Sequence, residues 1–142
     1  MNHIECIARA VIEKEGKFLL CRNKKRENWY FPGGHIEEGE SAPEALMREI
    51  KEELGEGNEV VRFIGASENK FETESGVTHE INLIFEVTLF ENGTQKSLED
   101  HLEFIWLTRE ELRDAVVFPA SLRDAILTTH TKEKPLWVSE GF

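Results

Sequence analysis

The sequence is poor in cysteine, in long apolar runs and in positive charge. Its two cysteines, Cys6 and Cys21, make no C-x-x-C pair and no Cys/His cluster at zinc spacing. A zinc module is thereby excluded, and two reduced thiols are expected. No apolar stretch approaches the ~20 residues that span a bilayer. Residues 1–7 carry Glu5 rather than a basic stretch leading into an apolar segment, so no secretory signal is expected and the reading is cytoplasmic. Lysine and arginine total 17 against 28 acidic residues, a formal net charge of -11. Such a balance opposes broad nucleic-acid binding, where basic side chains supply most of the affinity, so no stable nucleic-acid partner is expected. It does not oppose a phosphate-bearing small molecule, because acids recruit divalent cations and the cations receive the phosphates.

What remains is an ordinary globular mixture, 39% hydrophobic and 32% charged, over 142 residues. That length fits one domain spanning 1–142. Alternation over 4–12 and an apolar run over 17–22, separated by the turn signal Glu15-Gly16, read as a hairpin. A basic loop follows, with Arg22, Lys24, Lys25 and Arg26, and then Trp29-Tyr30-Phe31-Pro32-Gly33-Gly34, where regular structure should break. Ser41 and Glu44 have capping-box spacing, and helix formers continue over 45–54 until Gly55 and Gly57. Strands are expected over 60–67, 79–90 and 104–107, with a turn at Asn92-Gly93. In the second of these, Ile81, Leu83, Phe85, Val87 and Leu89 form one face, and Glu80, Asn82, Glu86 and Thr88 the other. Thr108 and Glu111 offer a second capping box, a helix is expected over 119–129, and the tail after His130 reads as loosely held.

The first helix carries its acids in an unusual place. At ~100° per residue, Ala42, Leu46, Ile50 and Leu54 form a stripe that must face the core. Glu53 projects into that arc, Glu49 lies beside it and Glu52 at its edge. Glu49 also stands three residues before Glu52 and four before Glu53, so the like charges crowd one another on the helix surface. Two readings account for this. A salt-bridged surface would pair Arg48 with Glu52, whereas a hard divalent cation bound by three carboxylates would explain both the crowding and the placement.

The surrounding spacing extends the second reading. Gly34, five residues, Glu40, seven residues and then Arg48-Glu49-Ile50-Lys51-Glu52-Glu53-Leu54-Gly55 resemble the box of the Nudix hydrolase family (MutT-like), G-x5-E-x7-R-E-U-x-E-E-x-G-U, over 34–56. Only the closing bulky apolar position departs, being Glu56. The resemblance implies an α/β fold, an α/β/α sandwich with a central mixed β-sheet. It further implies metal-dependent hydrolysis of a phosphoanhydride in a nucleoside diphosphate linked to another group, with Mg2+ as cofactor and Mn2+ as a possible substitute. By the same resemblance the Gly33 carbonyl, Glu49, Glu52 and Glu53 are metal ligands, and Glu49, Glu52 and Glu53 also serve in activating water. Arg48 orients Glu49 or its neighbours, and Glu40 supports the site or holds a further cation. The proton acceptor is a box glutamate or a later carboxylate, for which Glu99, Asp100 and Glu103 are candidates.

Arg22, Lys24 and Arg26 are candidate phosphate contacts or a solvated loop, and Trp29 is a candidate for stacking on a base. Phe71 and Phe118 are expected in loops, and His35 facing solvent. The fifteen to eighteen positions after the box hold Phe71, Glu72, Thr73 and Glu74, without the proline or tyrosine that marks some subgroups. A nucleoside triphosphate, nucleotide sugar or dinucleoside polyphosphate therefore stays open as substrate. Alternatives are a nucleotide-sensing Nudix module and an RNA 5′-end pyrophosphohydrolase. A homodimer is possible.

Overall fold

A computed structural model describes residues 3–55, 57–90 and 96–142. Glu56 and the Asn92-Gly93 turn lie outside the described residues. The elements run β1 (His3–Val11), β2 (Glu13–Lys14), β3 (Lys17–Asn23), β4 (Gly33–His35), α1 (Ala42–Leu54), β5 (Asn58–Thr73), β6 (Gly76–Leu89), β7 (Leu102–Thr108), α2 (Arg109–Asp114), α3 (Ala120–Thr128) and β8 (Leu136–Glu140). One sheet has the order β4-β1-β6-β5-β8 and is mixed, with β1 parallel to β6 and β8 parallel to β5. The other, β2-β3-β7, is antiparallel.

The large sheet is covered on both faces, which gives the expected α/β/α sandwich. On one side Leu46, Ile50 and Leu54 of α1 pack on Ala8, Ala10, Phe85 and Val87. On the other, Leu112 of α2 and Leu122, Ala125 and Ile126 of α3 pack with Val11, Ile64, Ile84 and Leu136. Strand alternation sends successive residues of β1 into the two cores. That placement is why 4–12 does not form the expected hairpin with 17–22. A strand buried on both faces belongs inside a sheet, and β1 lies between β4 and β6. The hairpin is reduced to β2 and β3 around Glu15 and Gly16, whose φ values of 52° and 77° suit a tight primed turn.

Two further expectations are corrected. Phe71 lies within β5, because β5 and β6 pair from Asn58↔Leu89 to Thr73↔Gly76 as one long hairpin. The tail after His130 is anchored: β8 pairs with β5, and Leu136 is buried opposite Gly65, where a Cβ would overlap the Leu136 backbone. Among the described residues, no helix is long and apolar enough to cross a membrane.

Candidate active site

Local signals place the box helix. The Ser41 hydroxyl accepts from the Glu44 N–H at 3.2 Å at the start of α1. At its end Gly55 takes φ 71° and its N–H reaches the Lys51 carbonyl at 2.8 Å. Burying Ala45, Leu46, Ile50 and Leu54 on the sheet carries Glu53 largely out of solvent, to 9% exposure. One carboxylate oxygen of Glu53, Oε2, is buried with no hydrogen-bond partner. Burial pushes this carboxyl up to about 8, with Glu49, Glu99 and Glu52 adding repulsion and Arg9 opposing it. Glu49 is raised too, by burial first, although Arg48 pulls the other way. Glu52 is exposed.

Arg48 organises these acids. Its guanidinium meets Glu40 through two contacts, 2.7 Å from Nη2 and 3.1 Å from Nε. Nη1 lies 3.1 Å from Glu49 and 3.4 Å from Glu52, and Nη2 donates to the His35 carbonyl at 3.3 Å. Glu40 in turn accepts from the Glu37 N–H at 2.9 Å, and Arg48 beside it holds its carboxyl below the usual range. Loop, helix and β4 are tied together through one fork.

The two glycines of β4 close the other side. Gly33 and Gly34 pair with Arg9 and Ala8 of β1. At φ 153° Gly33 approaches the Ala8 carbonyl so closely that no Cβ fits, and a Cβ on Gly34 would overlap the Glu49 carboxylate. Among the described residues, no three acidic, histidine or cysteine side chains already stand together as a cation cage, since Glu49 leans on Arg48 and Glu52 points outward. The donor set nonetheless suits a hard cation. Glu53 offers a buried unpartnered carboxylate oxygen on which Glu49 and Glu52 act as like charges, and Glu49 lies against the side-chain-free backbone of Gly34.

The other candidates separate. Glu99 acts electrostatically on Glu53, and the neighbouring Leu98 N–H donates to the Glu53 carbonyl at 2.7 Å. Glu103 is engaged by Arg22, whose guanidinium also lies 4.5 Å from the Trp29 ring centroid. That pairing occupies two of the expected substrate contacts with each other. Lys24, Glu99, Asp100 and Glu103 line one recess of about 310 Å³, while Arg26 is exposed and His35 pairs with Glu5 at 3.3 Å. The sequence reading missed Arg9, which sits next to Gly33 in register, acts on Glu53 and lies 5.5 Å from the Tyr30 ring centroid. An isolated arginine in an apolar strand was its only signal. The buried Cys21 thiol donates to the Tyr30 hydroxyl at 3.4 Å, and burial pushes it up to about 12, so it stays a thiol.

The model of the NUDIX domain matches residues 2–127. The chain belongs to the Nudix hydrolase family. It is therefore an enzyme acting on acid anhydrides. It is 31% identical over 126 residues to the CTP pyrophosphohydrolase of Escherichia coli (strain K12), covering 86% of this chain and 88% of that one. It is 32% identical over 113 residues to the nucleoside triphosphatase NudI of Enterobacter sp. (strain 638), covering 72% and 80%. Among solved structures, the MutT protein from Methanosarcina mazei Go1 superposes with a TM-score of 0.72 at 25% identity, covering 92% of this chain and 96% of that one.

Proposed function

We propose that this Nudix enzyme hydrolyses a phosphoanhydride bond of a nucleoside triphosphate, using Mg2+, with Mn2+ able to substitute, held by Glu49, Glu52, Glu53 and the Gly33 carbonyl. The observation that carries the reading is Glu53: a carboxylate buried among apolar side chains, with an unpartnered oxygen and like charges around it, is costly unless a cation completes it. When bound, the metal neutralises the phosphate oxygens and orients the attacking water. Arg48 holds Glu49 toward the glycine pair, and Glu40 fixes Arg48. We assign to Glu99, rather than Asp100 or Glu103, the carboxylate outside the box that works with Glu53, because its charge acts on Glu53 and the neighbouring Leu98 N–H bonds the Glu53 carbonyl, whereas Glu103 is engaged by Arg22. Support for a triphosphate substrate comes from the relatives, two of which are named for CTP and for nucleoside triphosphates and align over most of their length.

The test is a panel of nucleoside triphosphates, nucleotide sugars, dinucleoside polyphosphates and 5′-triphosphorylated RNA, with Mg2+ or Mn2+. Mass spectrometry of products formed in heavy-oxygen water locates the cleaved bond. Triphosphate turnover that stops on chelation is expected. Turnover of RNA alone would redirect the reading to 5′-end processing, and binding without turnover across the panel would make the chain a nucleotide sensor.

A further inference from the structure

The glycine pair of β4 follows a break in the backbone ladder. Pro32, just before it, has no N–H to give to β1. Its carbonyl accepts from the Ala10 N–H at 2.7 Å. The preceding carbonyl, that of the buried Phe31, is held by a side chain instead: Arg9 Nη1 donates to it at 3.1 Å.

Arg9 is itself anchored. It alternates along β1 with Ala8 and Ala10, which pack under α1, so its side chain leaves the sheet on the opposite face. There Nε donates to Asn82 Oδ1 at 2.9 Å and Nη2 to Glu80 Oε1 at 3.3 Å, and the Asn82 amide donates on to Asn69 Oδ1 at 3.2 Å. Glu80 and Asn82 are buried, and the Arg9 side chain is only 11% exposed. A buried ion pair of this kind gains little stability over apolar residues of similar volume, because desolvation offsets the attraction. What it supplies is position. A planar guanidinium whose three nitrogens are committed to Asn82, Glu80 and the Phe31 carbonyl has one place to be.

The consequence falls on the residues that follow Pro32. Gly33 pairs with Arg9 and Gly34 with Ala8. Gly33 approaches the Ala8 carbonyl too closely for any Cβ, and Gly34 lies against the Glu49 carboxylate. This stretch of backbone is packed directly on its neighbours, so a shift at Phe31 is passed to it.

We propose that Arg9 is a positioning residue for the cation: by gripping the Phe31 carbonyl it sets where the Gly33 carbonyl stands relative to Glu49. This rests on the metal reading above, in which that carbonyl is a ligand. The hydrogen-bond partners of Arg9 all lie outside the box, so its loss should weaken metal binding and leave nucleotide binding alone.

The experiment compares the wild type with Arg9→Lys and with the apolar double variant Arg9→Met/Glu80→Leu. It measures the Mg2+ concentration that half-saturates turnover of the best triphosphate, the nucleotide KM at saturating Mg2+, and the Mg2+-specific rise in Tm without nucleotide. Lysine keeps the charge beside Glu80 but cannot span three acceptors. In both variants half-saturating Mg2+ should rise about 10- to 100-fold, the effect of losing a group that orients a metal ligand. KM should be unchanged, excess Mg2+ should restore most of kcat, and the Mg2+ needed for the rise in Tm should move by the same factor. Thr108→Ala, destabilised through the capping box of α2, should keep the wild-type Mg2+ dependence. A folded Arg9→Lys with wild-type Mg2+ dependence overturns the proposal and leaves the metal reading intact, and so does a rise in KM alone. Should one variant fail to fold, the other decides; loss of the fold in both makes Arg9 a structural residue and overturns the proposal as well. No Mg2+-specific response of the wild type in either readout overturns both readings.

Discussion

Glu53 concentrates the chemistry of the molecule in one side chain. Its position on the helix follows from spacing alone, since it shares the arc of Leu46, Ile50 and Leu54, and burial then raises its proton affinity. Glu53→Gln keeps the volume and removes the charge, so turnover should fall by about 10²- to 10⁴-fold. Steady-state kinetics at saturating Mg2+ would measure this, and near-normal turnover would remove Glu53 from the site. The metal-free protein gives a second readout. The folded carboxyl titrates at about 8, well above an unfolded glutamate, so the folded state binds the extra proton across the interval between them. Its stability contribution is therefore complete below the unfolded value and is lost as pH rises through the folded one. In chelator, the wild-type Tm should fall relative to that of Glu53→Gln between about pH 5 and pH 8. Parallel pH profiles for the two proteins would contradict the burial argument.

At the level of elements, the contrast between β4 and α2 separates site from scaffold. In Gly34→Ala the new methyl must displace the Glu49 carboxylate, while the paired backbone of β4 is undisturbed. Activity should drop about 10- to 100-fold with little change in Tm, the size of effect that a misplaced catalytic group produces. Thr108→Ala should do the opposite. It removes a complete capping box in which Thr108 and Glu111 bond reciprocally at 3.1 Å and 3.0 Å, costing about 1 kcal/mol and leaving kcat unchanged. Thermal melts and kinetics on the two variants distinguish these patterns. The caps also explain which elements were legible. Both ends of α1 and the start of α2 are set by residues within three or four positions, the Ser41 and Thr108 hydroxyls at the starts and the left-handed Gly55 at the end of α1, so sequence spacing reveals them. Strand partners are not set locally: the alternation of β1 is the same whether it pairs with β3 or lies between β4 and β6. For the same reason the sequence of β8 reads as a loose tail, since its partner β5 lies far back in the chain. The buried polar face of β6 was illegible because Glu80 and Asn82 are matched by Arg9 and Asn69, residues that only the fold brings together. Within the site, the box acids were evident from spacing, whereas the engagement of Arg22 by Glu103 depended on the pairing of β3 with β7.

Over the whole molecule, a net charge of -11 and a buried Glu53 with like charges acting on it make stability depend on what occupies the box. Two effects of added Mg2+ must be told apart. Any salt screens the long-range repulsion among surface acids, and does so in proportion to ionic strength. A cation bound at Glu49, Glu52 and Glu53 adds a linked term, about 2.7 kcal/mol when its concentration is a hundred times Kd. For a chain of this size each kcal/mol moves Tm by about 2–4 °C, so saturation should add roughly 5–10 °C. NaCl at matched ionic strength should recover only the screening part. Glu53→Gln should lose most of the Mg2+-specific increment yet respond to NaCl as the wild type does, because its surface is unaltered. Equal shifts from MgCl2 and matched NaCl in the wild type would mean that the carboxylates are merely screened, and the assignment of the cation to this helix would fail.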